Sequence, residues 1–121
     1  MVKKVLVIDD EPDFIDAVRM RLEASGYEVI SSTDGRDGLD KAKKERPDAI
    51  LLDLVMPELN GFAVLASLKS DMKTRGIPVI ILTAKTETEY ALDAGKLGAN
   101  DYLVKPPSMQ KIVETIRKYA G

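Results

Sequence analysis

Ala49-Ile50-Leu51-Leu52-Asp53-Leu54-Val55-Met56-Pro57 is the stretch that decides the fold. Its first four residues are apolar at consecutive positions, which is how a strand reads when both of its faces are covered. Asp53 interrupts that run, and an ionised carboxylate placed there loses hydration and needs compensation. A second apolar run, Val5-Leu6-Val7-Ile8, ends in Asp9 and Asp10. If both runs are strands of one parallel sheet, their carboxyl ends share an edge and the three acids converge.

Working outward, short apolar runs alternate with helix-period segments five times. Strands are expected at Lys4–Ile8, Glu28–Ser32, Ala49–Leu54, Val79–Thr83 and Tyr102–Val104. The second is the more polar, with Ser31 and Ser32, and suits a sheet edge. A helix is expected over Pro12–Ser25, with Phe14, Val18 and Leu22 on one face and Gly26 as its stop. Gly35–Glu45 is a weaker helix carrying Leu39 and Ala42, and Phe62, Leu65, Leu68 and Met72 form the stripe of a third. Thr86-Glu87-Thr88-Glu89 reads as a capping box for a fourth, whose apolar face is small (Ala91, Ala94, Leu97) and which is therefore a candidate moving part. Ser108 can cap a fifth, with Met109, Ile112, Val113 and Ile116 at helical spacing. Five βα units with right-handed crossovers give an open, doubly wound parallel α/β sheet, with ligands at the carboxyl ends of the strands. Asp9, Asp10, Asp53, Thr83 and Lys105 all fall on that rim.

The composition limits the chemistry. The 121 residues are expected to form one domain, 1–121, large enough for a single core. Eighteen basic against twenty acidic residues, a net charge of −2, argue against direct binding to nucleic acid or an anionic membrane. No apolar stretch approaches the ~18 residues of a membrane span, and the amino terminus lacks a signal-peptide pattern, so the cytoplasm is the expected compartment. With no Cys and no His, thiolate nucleophiles, His triads and imidazole ligands are excluded. Carboxylates, hydroxyls, lysines and an oxygen-ligated hard cation remain.

Taken singly, most rim residues have plain readings. Asp10 can cap the helix beginning near Pro12, Thr83 can satisfy loop backbone, and Lys105 can be a solvated lysine. Asp53 resists such a reading, because capping does not explain a carboxylate in the most apolar strand. Together the residues say more. Two carboxylates about 5 Å apart repel by roughly 3 kcal/mol at an effective dielectric of 20, so three such pairs cost on the order of 10 kcal/mol. Folding stability is itself only ~5–15 kcal/mol, so the trio must protonate in part or bind cations. Lys105 supplies one positive charge and magnesium fits as a second. Acids, a divalent ion, a lysine and a hydroxyl are equipment for phosphoryl transfer.

Four motifs carry a family resemblance: Val7-Ile8-Asp9-Asp10-Glu11-Pro12, Leu51-Leu52-Asp53 through Asn60-Gly61, Ile81-Leu82-Thr83-Ala84 and Asp101-Tyr102-Leu103-Val104-Lys105-Pro106. In this order and spacing they resemble the receiver domain of bacterial two-component response regulators. The resemblance implies the CheY-like, flavodoxin-like fold with strand order 2-1-3-4-5. It also implies Asp53 as phosphoacceptor, taking its phosphoryl group from a phosphohistidine on a sensor kinase or phosphotransfer protein. Asp9, Asp10, Asp53 and the Val55 carbonyl would hold Mg²⁺ or Mn²⁺, Asp9 largely through water. Lys105 would neutralise phosphoryl charge, Thr83 and Tyr102 would form a switch pair, and Pro106 would follow a cis peptide that aims Lys105 inward. Tyr102 by itself reads as a half-buried strand aromatic.

Some positions depart from the family pattern. Pro107 stands where an aromatic residue is common, and Val55 and Lys85 occupy positions that affect phosphoryl lifetime. Ala91, Lys111 and Thr115 do not resemble the charged pairs of the dimerising transcription-factor subgroup, so a monomer is expected before phosphorylation. The expected function is a phosphoacceptor switch that autodephosphorylates and acts on a downstream effector, as a stand-alone regulator or as a domain of a longer protein. Alternatives are a receiver-fold interaction module without phosphotransfer, a flavodoxin-like cofactor carrier and a haloacid-dehalogenase-like phosphatase. The carrier would need a phosphate loop after the first strand, which is missing. The phosphatase would need a second acid at the position of Val55.

Overall fold

The computed structural model describes residues 2–56, 60–84 and 88–121. Strands and helices alternate as β1 (Lys4–Ile8), α1 (Pro12–Ala24), β2 (Glu28–Ser32), α2 (Gly35–Glu45), β3 (Ala49–Asp53), α3 (Gly61–Ser70), β4 (Val79–Ala84), α4 (Thr88–Lys96), β5 (Asp101–Lys105) and α5 (Met109–Ala120). The five strands form one sheet in the order β2-β1-β3-β4-β5, every pair parallel. This is the doubly wound order the motifs imply, with polar β2 at an edge.

Strand alternation divides the core in two. Val5, Val7, Ala49, Leu51, Ile80 and Leu82 face α1 and α5, packing on Ile15, Val18, Leu22, Ile112, Val113 and Ile116. Leu6, Ile8, Ile50, Leu52, Val79 and Ile81 face α2, α3 and α4, packing on Ala42, Val64, Leu65, Leu68 and Ala94. The central strands are therefore apolar at consecutive positions because both faces are covered. The free edge of β2 is shielded from both sides: Arg19 of α1 donates to the Val29 carbonyl at 2.7 Å, and Lys41 of α2 to the Ser31 carbonyl at 2.6 Å. Cations laid over outward carbonyls discourage strand addition.

Several helix details differ from the sequence expectation. In α1 the buried residue of the first turn is Ile15, while Phe14 is half-buried at the core's margin. In α2 the contact face is Gly35, Gly38 and Ala42, and Leu39 is only partly buried. A Cβ on Gly38 would stand 2.7 Å from Ile8 Cδ1, so the glycine lets this helix lie close on β1. The α3 stripe ends at Leu68; the helix stops at Ser70, and Met72 is 80% exposed. Ala94 is the buried residue among those described in α4, and Leu97 is exposed. The proposed capping box at Thr86-Glu87-Thr88-Glu89, like Pro57-Glu58-Leu59 and Lys85, lies wholly or partly outside the described residues. The fifth helix begins as expected, with the Ser108 side chain accepting from the Lys111 amide at 3.0 Å.

Candidate functional site

Strand register sets the site. Ile8 pairs with Leu52, Asp53 with Leu82, and Ala84 with Lys105, so β1, β3, β4 and β5 end on a common rim. Asp9 and Asp53 are each anchored by their own following turn. Asp9 Oδ1 accepts from the Glu11 amide at 2.9 Å, and Asp53 Oδ1 accepts from the Val55 amide at 3.0 Å. This local bonding, typical of Asp at a turn, fixes both carboxylates and leaves each Oδ2 facing the rim's centre. Asp10 does not cap α1: Glu11 takes that position without a side-chain cap bond, and Pro12 opens the helix.

Lys105 occupies the middle of the arrangement. Its Nζ lies 2.6 Å from Asp9 Oδ2, 2.8 Å from Glu11 Oε1 and 3.5 Å from Asp53 Oδ2, and 4.5 Å from the centroid of the Phe14 ring. The Lys105–Pro106 peptide is cis. Gly61 closes the floor, its amide bonding to the Leu54 carbonyl at 2.9 Å. A Cβ there would collide with the Asp53 carbonyl and the Leu54 backbone, so only glycine lets α3 begin this close to the end of β3.

Burial dominates the electrostatics. It pushes the Asp53 carboxyl up to about 6, against the Val55 amide and Lys105, which favour the anion, and with Asp9 and Asp10 adding repulsion. The Asp9 carboxyl is raised for the same leading reason, with Lys105 and the Glu11 amide opposing. Burial acts to lower Lys105, but its contacts with Asp9 and Glu11 and the charge of Asp53 outweigh it and hold the ammonium above the ordinary lysine range. Near neutral pH the site therefore combines an ionised Asp53 with a protonated lysine.

The donor set suits a hard cation. Carboxylate oxygens of Asp9, Asp10, Glu11 and Asp53 all lie within 4.8 Å of one another. Asp9 Oδ2 is buried and has no partner in hydrogen-bond geometry, though Lys105 is at ion-pair distance. An acceptor in that condition is one a metal ion would satisfy.

The structure thus gathers Asp9, Asp10, Asp53 and Lys105, with Val55 51% exposed beside them. Thr83 is buried at the same rim, pairing in register with Val104. Tyr102 lies two residues before Val104 in β5 and is 48% exposed, about half-buried. It lines a cavity of about 600 Å³ with Glu89, Leu92 and Gly95 of α4. The sequence places Phe14 on the apolar face of the first helix and Glu11 in the first motif but gives neither a role at Lys105, which both touch. The signal for Glu11 was its place directly after the paired acids and before Pro12, which keeps it on the rim.

A parallel five-stranded α/β domain with an acidic pocket around Lys105 at its strand ends is the class that fold and site define. The chain belongs to the response regulator receiver domain family, whose model matches residues 5–117. It is 38% identical over 113 residues to the protein PilH of Pseudomonas aeruginosa, covering 93% of each chain. It is 40% identical over 112 residues to the Bacillus subtilis alkaline phosphatase synthesis transcriptional regulatory protein PhoP, spanning 93% of this chain but only 46% of that relative. Among solved structures, the receiver domain of the sensor histidine kinase PA1611 from Pseudomonas aeruginosa PAO1, with a magnesium ion coordinated in its active-site cleft, superposes with a TM-score of 0.90. It is 27% identical and covers 100% of this chain and 99% of its own. Among the described residues, no helix is long and apolar enough to cross a membrane.

Proposed function

We propose that this single domain, residues 1–121, is a phosphoacceptor switch with Asp53 as the acceptor. The observation that carries the reading is the Asp53 carboxylate, 7% exposed, anchored through one oxygen and presenting the other 3.5 Å from Lys105 Nζ in a cluster of acids. Asp53 Oδ2 attacks phosphorus of a phosphohistidine on a partner kinase or phosphotransfer protein. A new P–O bond forms as the P–N bond breaks, and the imidazole leaves with a proton taken from solvent. Lys105 stays protonated throughout and pairs with the equatorial phosphoryl oxygens. Asp10, Asp53 and the Val55 carbonyl would hold magnesium or manganese, with Asp9 acting mainly through water. When bound, the ion supplies charge neutralisation and orientation of the phosphoryl oxygens.

Later attack by water on phosphorus returns inorganic phosphate and the free Asp53 carboxylate. Between those events the phosphoryl group adds about −1.5 to −2 charges and three acceptors beside Thr83. Thr83 drawn toward them, and Tyr102 turning from its exposed position, would alter the α4-β5-α5 surface read by an effector. A monomer before phosphorylation and a cytoplasmic setting go with this reading, as does self-catalysed chemistry without turnover of an external substrate.

Intact-mass measurement after incubation with acetyl phosphate and Mg²⁺ tests it. The wild type should gain one phosphoryl group, and Asp53→Ala should gain none. No gain by the wild type, or equal labelling of Asp53→Ala, would overturn the assignment.

A further inference from the structure

Lys105 has an additional partner that the phosphoacceptor reading leaves without a task. Its ammonium sits 2.8 Å from Glu11 Oε1 and 2.6 Å from Asp9 Oδ2, but 3.5 Å from Asp53 Oδ2. The lysine is thus held closest to the β1–α1 turn, and its ion pair with Asp53 is the longest of the three. The Glu11 carboxylate belongs to the acidic cluster with Asp9, Asp10 and Asp53, and its hydrogen-bond donor among the described residues is Lys105. Glu11 occupies the N-cap position of α1 without a side-chain cap bond, and its side chain is 64% exposed. Its backbone amide, by contrast, is committed to Asp9 Oδ1 at 2.9 Å, so the turn fixes where the side chain starts. The Phe14 ring, 4.5 Å from Nζ to its centroid, covers the ammonium from the first turn of α1 and favours the same pose.

An ammonium has three protons to give. In this pose the ammonium donates to Glu11, lies at ion-pair distance from Asp9 and is covered on another side by the ring, so a phosphoryl oxygen arriving on Asp53 finds its counter-charge shared with the turn. We infer that Glu11 is a positioning residue that latches Lys105 toward the β1–α1 turn in the resting protein, and that full engagement of a phosphoryl group on Asp53 must displace this contact. The phosphoryl group is the stronger competitor, because it brings more charge and three acceptors against one exposed carboxylate. The latch therefore slows entry into the phosphorylated state without preventing it. This inference rests on the phosphoacceptor reading of Asp53 and concerns regulation of that same site.

The test is a two-residue cycle read at saturating Mg²⁺ with acetyl phosphate as donor. Glu11→Gln removes the charge and keeps the shape. Its phosphoryl uptake should run about two- to fivefold faster than the wild type, the range an exposed ion pair can hold back. In a Lys105→Gln background, where uptake is slow, adding Glu11→Gln should change nothing, since Glu11 acts only through that lysine. A second readout needs no metal. In protein with ¹⁵N-labelled lysines and chelator present, the Lys105 ammonium protons should exchange with solvent faster in Glu11→Gln than in the wild type. Equal acceleration in the Lys105→Gln background would assign the effect to the general field of the acid cluster and overturn the latch. Unchanged uptake and unchanged exchange in Glu11→Gln, with the wild type still labelled at Asp53, would sink the latch alone. A wild type that takes up no phosphoryl group would sink the parent reading and the latch with it.

Discussion

The two ends of the sheet handle charge in opposite ways. At the amino ends, the charged groups pair at the surface: Lys4 Nζ lies 2.9 Å from Glu45 and 3.5 Å from Glu28, and its amide donates to Asp48 Oδ2 at 2.8 Å. The hydrogen bond from Lys4 holds the Glu45 carboxyl below the usual carboxylate range. At the carboxyl ends, four acids surround Lys105 among the described residues, and burial pushes Asp9 and Asp53 upward instead. The same strands run through both regions, so the contrast does not come from the fold. One end pairs its charges where solvent reaches them, and the other buries negative charge where it costs stability. Buried negative charge of this kind is what a site awaiting a cation and a phosphoryl group would show.

The largest effect should come from crowding the floor of the costly end. Gly61→Ala forces a Cβ into the Asp53 and Leu54 backbone, and should destabilise the fold by about 3 kcal/mol in denaturant unfolding. Gly76→Ala, in the segment entering β4 at the other end, meets nothing within 4 Å and should change stability by no more than about 0.5 kcal/mol. Equal losses at the two glycines would erase the contrast in packing.

Next is the charge itself. The Asp53 carboxyl is raised to about 6 in the folded protein from an ordinary value of 3.8, so the folded state binds this proton more tightly than the unfolded state. Its ionised form therefore destabilises the fold fully above about pH 6, and the penalty fades as pH falls toward 4. In chelator, Asp53→Asn should raise unfolding stability by about 2 kcal/mol at pH 8 and hardly at all at pH 4. A gain that instead grew on acidification would reverse the assigned sign.

The smallest effect belongs to the exposed amino end. Lys4→Gln removes an exposed pairing whose gain is limited by solvent and salt. The melting temperature should fall slightly in low salt, by less than Asp53→Asn raises it, and the difference should disappear in high salt. A large, salt-independent loss would show that the amino ends carry more of the stability than their exposure suggests.

The contrast was only partly legible in the sequence. The central strands and their terminal acids were readable because a run such as Ala49-Ile50-Leu51-Leu52 permits few other structures and Asp53 violates it. Helix faces were harder, since a helix's phase toward the sheet is set by packing. Ile15 rather than Phe14 enters the core, which leaves Phe14 free to lie against Lys105. Met72 matched the stripe by spacing, but α3 stops at Ser70, and buried Thr74 and Ile77 anchor the segment that follows. The contact between Glu11 and Lys105 spans 94 positions and exists only once parallel register has aligned the strand ends. No local pattern announces it.

Magnesium titration followed by calorimetry probes the central claim most directly. If the carboxyl-end acids are kept in excess to hold a divalent ion, the wild type should bind one Mg²⁺, and Asp10→Asn should lose most of that affinity while its unfolding curve stays close to normal. No detectable binding by the folded wild type, or undiminished binding by Asp10→Asn, would contradict it.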